Sequence, residues 1–297
     1  MQQRLNIVYF SIDIINIICQ NLSLLDILNF KSTGSFFLDM MRKIELDNLI
    51  VKLYDYEDIY HAIKIHKFVK YDLSDIDSNE KIINKSYFKI FKNCQYLNFG
   101  YNYSINDSIL SYFRNCKQFI SHSINITDSG LQNLDKCKSC DLSSCYDVTG
   151  KGFKYLANCE NFYFTHNLRY DGTGIEYLKN CCTIDLTNCI GISNFENFSL
   201  LVNCHTINIS KTEIKDIDLQ YISHIKNVIL IMCLNITGIG LEYLQNSSTI
   251  DISYCISIPP TSVGLHYLKN CRRLRIKGCK IKNTNLTHLA NCEIISC

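Results

Sequence analysis

The sequence has no tryptophan and only two prolines, and it carries almost no surplus of charge: 30 Lys and Arg stand against 28 Asp and Glu, a formal net charge of +2. Without a basic excess, neither a nucleic-acid backbone nor an anionic membrane is expected as the main partner, because both are bound through clustered Lys and Arg. A long hydrophobic run is also missing. The most apolar early stretch, Ile14 to Cys19, follows Asp13 and is far short of the roughly 20 apolar residues that cross a bilayer, so no membrane span is expected. The residues after Met1 lack the basic region, apolar core and small-residue cleavage site of a secretory signal. With an odd number of cysteines, 17, and no such signal, the expectation is a cytoplasmic chain with reduced thiols.

Complete motifs for catalysis or cofactors are absent too. Cys137-x-x-Cys140 with Cys145 nearby lacks the second Cys pair that a four-ligand zinc site needs, and packed core thiols are the simpler reading. Gly150-Lys-Gly152, Gly172-Thr-Gly174 and Gly238-Ile-Gly240 complete neither a P-loop nor a dinucleotide fingerprint, and turn geometry accounts for all three. The adjacent Cys204-His205 would point a nucleophile and its base in different directions. No cofactor, no metal and no enzymatic activity are therefore expected. The Asn-x-Ser/Thr matches, such as Asn21, Asn125 and Asn235, follow from a chain with 30 Asn and 43 Ile against three Ala. That bias suits an AT-rich coding sequence, as in a giant DNA virus or an amoeba; a viral origin would put the protein in the host cytoplasm.

What is present is a repeat. Cys94, Cys116, Cys137, Cys159, Cys181, Cys204, Cys271 and Cys292 recur in one phase, with Ile225 and Ser247 in the two vacant slots, at intervals of 21 to 24 residues. Cys181-x-x-Ile184-x-Leu186-x-x-Cys189 has the strand-and-turn pattern of a leucine-rich repeat, whose period lies in this range. Its ninth position is filled by Asn102, Ile124, Cys145, Asn167, Cys189, Thr212, Cys233, Cys255 and Cys279, mostly small groups able to bond backbone in the turn. Each unit continues with apolar residues at i, i+3 and i+6, as in Leu131, Leu134 and Cys137, which predicts a short convex helix. Thr127, Thr149, Ser193 and Thr237 stand where a cap would serve that helix. The expected fold class is α/β: a solenoid with a parallel concave sheet and convex helices.

Run backward, the frame fits Phe68-x-x-Tyr71-x-Leu73 and Leu46-x-x-Leu49-x-Val51, so the array is placed at 46–297. At the other end, Cys292-x-x-Ile295-x-Cys297 reads as a strand stub whose edge a partner would cover.

Residues 1–45 do not follow the repeat, and residues 10–45 read as short amphipathic helices. Phe10-Ser11, Asp13, Ile14-Ile15, Ile18-Cys19, Asn21-Leu22 and Asp26-Ile27-Leu28, with Phe37 as an aromatic anchor, resemble an F-box. Ser11 stands where the family has Pro, and Thr33-Gly34-Ser35-Phe36-Phe37 replaces its usual ending. An F-box-like helical segment followed directly by leucine-rich repeats resembles the F-box/LRR proteins over nearly the whole chain. The resemblance implies that Phe10, Ser11, Ile14, Ile15, Ile18, Leu22, Ile27, Leu28 and Phe37 bind a Skp-type adaptor on a cullin scaffold. It also implies that the repeats present a protein substrate for ubiquitin transfer by other subunits. The alternative is an interaction scaffold whose N-terminal helices only cap the first repeat.

Because strand side chains alternate, positions 3, 5 and 7 of the frame face away from the core. The expected substrate-binding residues are therefore Asp141, Tyr163, Asp185, Asn208, Ile229, Ile231, Asp251, Arg273, Arg275 and Lys277, with acids flanking Tyr163, an apolar pair at 229 and 231, and a basic end.

Overall fold

A period near 22 residues leaves room for one three-residue strand, a turn, a short return segment and little else. In the computed structural model, which describes residues 50–55, 59, 69–76, 88–261, 264–282 and 286–296, that is the unit observed. Twelve strands are present among the described residues. They are β1 (Val51–Lys52), β2 (Lys70–Asp72), β3 (Tyr96–Asn98), β4 (Gln118–Ile120), β5 (Ser139–Asp141), β6 (Asn161–Tyr163), β7 (Thr183–Asp185), β8 (Thr206–Asn208), β9 (Asn227–Ile229), β10 (Thr249–Asp251), β11 (Arg273–Arg275) and β12 (Glu293–Ile295). They form one sheet in sequence order, with every neighbouring pair parallel.

The fourth column of the frame, including Cys140, Phe162, Ile184, Ile207 and Val228, lines up residue for residue from strand to strand and is fully buried. The sixth column, with Leu142, Phe164, Leu186, Ile209 and Leu230, is buried beside it. Its N–H groups extend the ladder, for example Leu186 N to Asn208 O at 2.7 Å. Each such side chain contributes roughly 1.5–3 kcal/mol by leaving water, and none could do so in an isolated repeat.

The frame shifts at three places. Val51 pairs with Tyr71, so Val51 and Leu53, not Leu49 and Val51, occupy the core columns of the first repeat. At β12, Ile294 pairs with Leu274 and packs on the core, which leaves Ile295, expected inside, on the concave face. In the fourth repeat the turn is one residue shorter: Ser123 is buried and donates to Ile105 O at 2.7 Å, and Ile124 is exposed.

The convex segments are mostly 3-10 rather than α-helical, as in Gly130–Leu134, Lys151–Leu156 and Ile239–Leu244. Strands stack about 4.8 Å apart, and an α-helix is about 10 Å across, so the slimmer 3-10 turn follows the strand spacing better. Asp107–Leu110 is α-helical and is capped by Asn106, whose Oδ1 accepts from Ser108 N at 3.1 Å. The threonines expected as caps serve another purpose. Thr127, Thr149 and Thr237 donate their hydroxyls to Asp107, Asp128 and Asp216 of the preceding repeat at 2.6–2.7 Å. Ser193 N–H reaches the Asp171 carbonyl. These carboxylates also accept from Gly152 N (2.8 Å) and Gly240 N (2.9 Å), stapling each turn to the one before. A Cβ on Gly240 would run into the Asp216 backbone, so only glycine fits there.

The first column is mostly buried thiols, with Ile225 and Ser247 between them, and the thiols donate to backbone carbonyls, for example Cys137 and Cys159 to Ser139 O and Asn161 O at 3.0 Å. Burial pushes the thiols of Cys94, Cys189 and Cys204 up to about 12 and that of Cys233 to about 11. The asparagines that precede Cys116, Cys159, Cys181 and Cys204 have a role as well. Asn115, Asn158, Asn180 and Asn203 donate Nδ2 to Lys92, Asp135, Ala157 and Lys179 carbonyls one repeat back, at 2.8–3.1 Å. No helix among the described residues is long and apolar enough to cross a membrane. The F-box-like segment, from Phe10 to Phe37, and the proposed boundary at 45 lie outside the described residues.

Candidate concave binding face

The strands place positions 3, 5 and 7 on the open face of the sheet, and the fifth column turns out to be largely structural. Asp141 Oδ1 accepts from Ser143 N at 3.0 Å, Asp185 Oδ1 from Thr187 N at 2.9 Å, Asn208 Oδ1 from Ser210 N at 3.2 Å, and Asp251 Oδ1 from Ser253 N at 2.9 Å. Each closes a turn over the end of its strand. Asp185 also takes the Thr187 hydroxyl at 2.6 Å and Asn208 Nδ2 at 3.0 Å. Four residues expected to bind substrate are thus already engaged, and Asp251 is only 5% exposed. The signal was in the sequence as a recurrent Asp/Asn-x-Ser/Thr.

Asp141 has a second neighbour. His122 Nε2 lies 3.5 Å from its Oδ2, and the His122 ring meets Tyr101 edge-on at 4.7 Å. Burial alone would raise the Asp141 carboxyl, but the nearby His122 ring and the hydrogen bonding of Ser143 outweigh it and hold the group below its ordinary value. Tyr163, half-buried, sits in register between Asp141 and Asp185.

The structure brings together Ile231, Asp251, Arg275 and Lys277 of the expected set. They line a cavity of about 370 Å³, joined by Tyr254 and Ile295, which the sequence reasoning did not select. Ile229 pairs with Asp251 on the adjoining strand, whereas Asp141, Tyr163, Asp185 and Asn208 lie further along the sheet. The basic end is less basic than its composition implies: Arg273 Nε bonds Glu293 Oε2 at 2.8 Å, and Arg275 Nη1 is 3.7 Å from Asp251 Oδ2. What remains is a cavity lined by apolar Ile231, Tyr254 and Ile295 beside Ser253, the Arg275–Asp251 pair and Lys277, at the small end of ligand-pocket volumes.

A further surface was missed. Just after the buried ninth position, Tyr103, Ile124, Tyr146, Leu168, Ile190, Leu234 and Ile256 are each 42–53% exposed, with Glu213 the one interruption. Beside them, Tyr101, Met232 and Tyr254 at the eighth column are exposed too. Met232 and Tyr254 are held at φ 59° and 60°, and their N–H groups bond Ser253 O and Lys277 O of the next repeat. The signal was a large apolar residue recurring where a solvated turn would carry polar ones.

The other motifs are accounted for by packing. Cys145 donates to Ser121 O at 3.2 Å, Cys137 and Cys140 are buried core members, and no group of His, Cys, Asp and Glu among the described residues is placed to hold a metal ion. Cys204 is buried and His205 exposed. Gly150, Gly172 and Gly238 have φ of 96–99°, the turn geometry expected of them.

No protein-family model matches the sequence, and no curated protein matches it. Solved structures do resemble the fold. An internalin (InlF) of Listeria monocytogenes is 16% identical, covering 70% of this chain and 75% of that one with a TM-score of 0.46. An internalin C2 of the same organism is 18% identical, covering 65% and 84%, also at 0.46. TLR13, solved as a complex with ssRNA13, is 13% identical, with a TM-score of 0.55 over 84% of this chain and 37% of that one. The chain therefore spans little more than a third of TLR13. With the twelve-strand parallel sheet, that likeness shows a leucine-rich-repeat solenoid.

Proposed function

We propose that this chain is a non-enzymatic binding protein whose solenoid captures a protein partner at the C-terminal end of its concave face. We further propose that its N-terminal residues join a Skp-type adaptor, making it the substrate-recognition subunit of a Skp/cullin/F-box type ubiquitin ligase. The observation that carries the binding half is the line of exposed apolar side chains that runs along the sheet edge and meets the cavity at Tyr254. An apolar line fixed on a rigid backbone supplies the anchors that protein interfaces use. TLR13 was solved with RNA; here Arg273 and Arg275 face Glu293 and Asp251, which suits a protein surface better than a phosphate backbone.

The adaptor half rests on the residue pattern from Phe10 to Phe37. Ile14→Asp would place an unpaired carboxylate in an apolar contact and should abolish adaptor capture while circular dichroism shows an intact solenoid. Wild-type protein that captures no Skp-type adaptor from its own host cell would leave an interaction scaffold without a ligase role.

A further inference from the structure

On the side of the solenoid where the convex turns end, three successive repeats close on Lys92, Arg114 and Lys136. Between them lies a cavity of about 540 Å³, lined by Lys89, Lys92, Arg114 and Lys136 together with Tyr112 and Asn115. No carboxylate among the described residues lines it. Asn115 ties the walls together: its Nδ2 donates to Lys92 O at 3.0 Å and its Oδ1 accepts from Lys136 Nζ at 3.1 Å. Four cations around one space is a strong local concentration in a chain whose net charge is +2. A bound anion would relieve their mutual repulsion, the ammonium groups acting as point charges and the guanidinium being able to fork onto two oxygens.

We propose that this cavity binds a compact ligand bearing several phosphates. The cations are confined to three repeats, which fits a small polyanion and not an extended nucleic-acid backbone. The same chemistry is offered by a soluble polyphosphate and by a phosphorylated lipid headgroup.

Calorimetric titration of the full chain with sodium tripolyphosphate tests the proposal, with inorganic phosphate and sulfate as comparisons. Tripolyphosphate should bind at least about tenfold more tightly than either comparison, with affinity falling as salt rises. The double variant Lys92→Gln/Arg114→Gln should weaken it by about tenfold or more. Both side chains are exposed, and an unchanged circular dichroism spectrum would confirm the fold. Sedimentation with phosphatidylcholine vesicles, plain or doped with phosphatidylinositol bisphosphate, separates the sources: variant-sensitive binding to doped vesicles assigns a headgroup, and tripolyphosphate binding alone assigns a soluble ligand. No binding of either probe, or binding indifferent to the double variant, overturns the site.

Discussion

Replacing Asp185 by alanine separates a ligand-binding carboxylate from one that holds the sheet together. Its Oδ1 accepts from Thr187 N and Oγ1 at 2.9 and 2.6 Å, and its Oδ2 accepts from Asn208 Nδ2 at 3.0 Å. Each bond contributes about 1 kcal/mol net, reduced by the half-exposed setting, so Asp185→Ala should cost about 2 kcal/mol. Asp185→Asn keeps an oxygen for Thr187 but turns an amide toward the Asn208 amide, and should cost about 1 kcal/mol. Asn208→Ala combined with Asp185→Ala should be less than additive by about 0.5–1 kcal/mol, because the two share a bond. Guanidinium denaturation followed by circular dichroism gives the midpoint shifts, and amide exchange at Thr187 reports the turn itself, which matters in an array whose repeats can unfold in stages. Asp185→Ala within about 0.5 kcal/mol of wild type, with Thr187 still protected, would refute the structural role and return Asp185 to the ligand face.

Leu186, fully buried one residue further on, should lose about 2–5 kcal/mol on truncation to alanine, measured by the same denaturation. Gly240→Ala should cost about 1–3 kcal/mol, seen as a lowered melting temperature, because the added methyl meets the Asp216 backbone. The buried thiols make the fold sensitive to alkali. Cys94, Cys189, Cys204 and Cys233 titrate at about 11–12 in the fold against an ordinary 9.0, so the folded state keeps protons that the unfolded chain has already lost. Stability should therefore be whole below pH 9 and fall from about pH 9 to 11, by up to about 1.4 kcal/mol per pH unit for each thiol. A urea midpoint that does not move across that range would contradict it. In native protein, brief alkylation followed by mass spectrometry should modify Cys182, the exposed thiol among the described cysteines, well before Cys181 beside it.

The repeat was legible because a buried column tolerates little besides small or apolar groups, so Cys, Ile and Ser mark it at every turn. Register was legible only where one alternation fits: Leu49, Ile50, Val51 and Leu53 satisfy two frames, and Ile294-Ile295 offers two inward candidates. The 3-10 turns were in fact written in the i, i+3, i+6 spacing of Leu131, Leu134 and Cys137, a period of three rather than 3.6. The Thr–Asp staples join residues some 20 positions apart, beyond the reach of a local cap rule. On the concave face, alternation alone does not say which side chains are free: Ile295 lies outward where the frame expected it inside, and Asp251 of the expected set is buried. Whether an outward Asp is spare depends on its partners: Asp185 and Asp251 are spent on turns, whereas Ile231 and Lys277 remain available to a ligand. The cationic cavity escaped notice because net charge averages over the chain, while Lys92, Arg114 and Lys136 meet only through stacking.

Quantitative affinity purification from the native host cell, comparing wild type with an Ile231→Glu/Lys277→Glu variant that remains folded, tests the binding role most directly. The variant replaces one apolar and one cationic group of the cavity lining with carboxylates, so one or more specific protein partners should drop at least about tenfold. An N-terminal Ile14→Asp variant should retain those partners. A partner profile identical between wild type and the cavity variant would contradict a concave binding site.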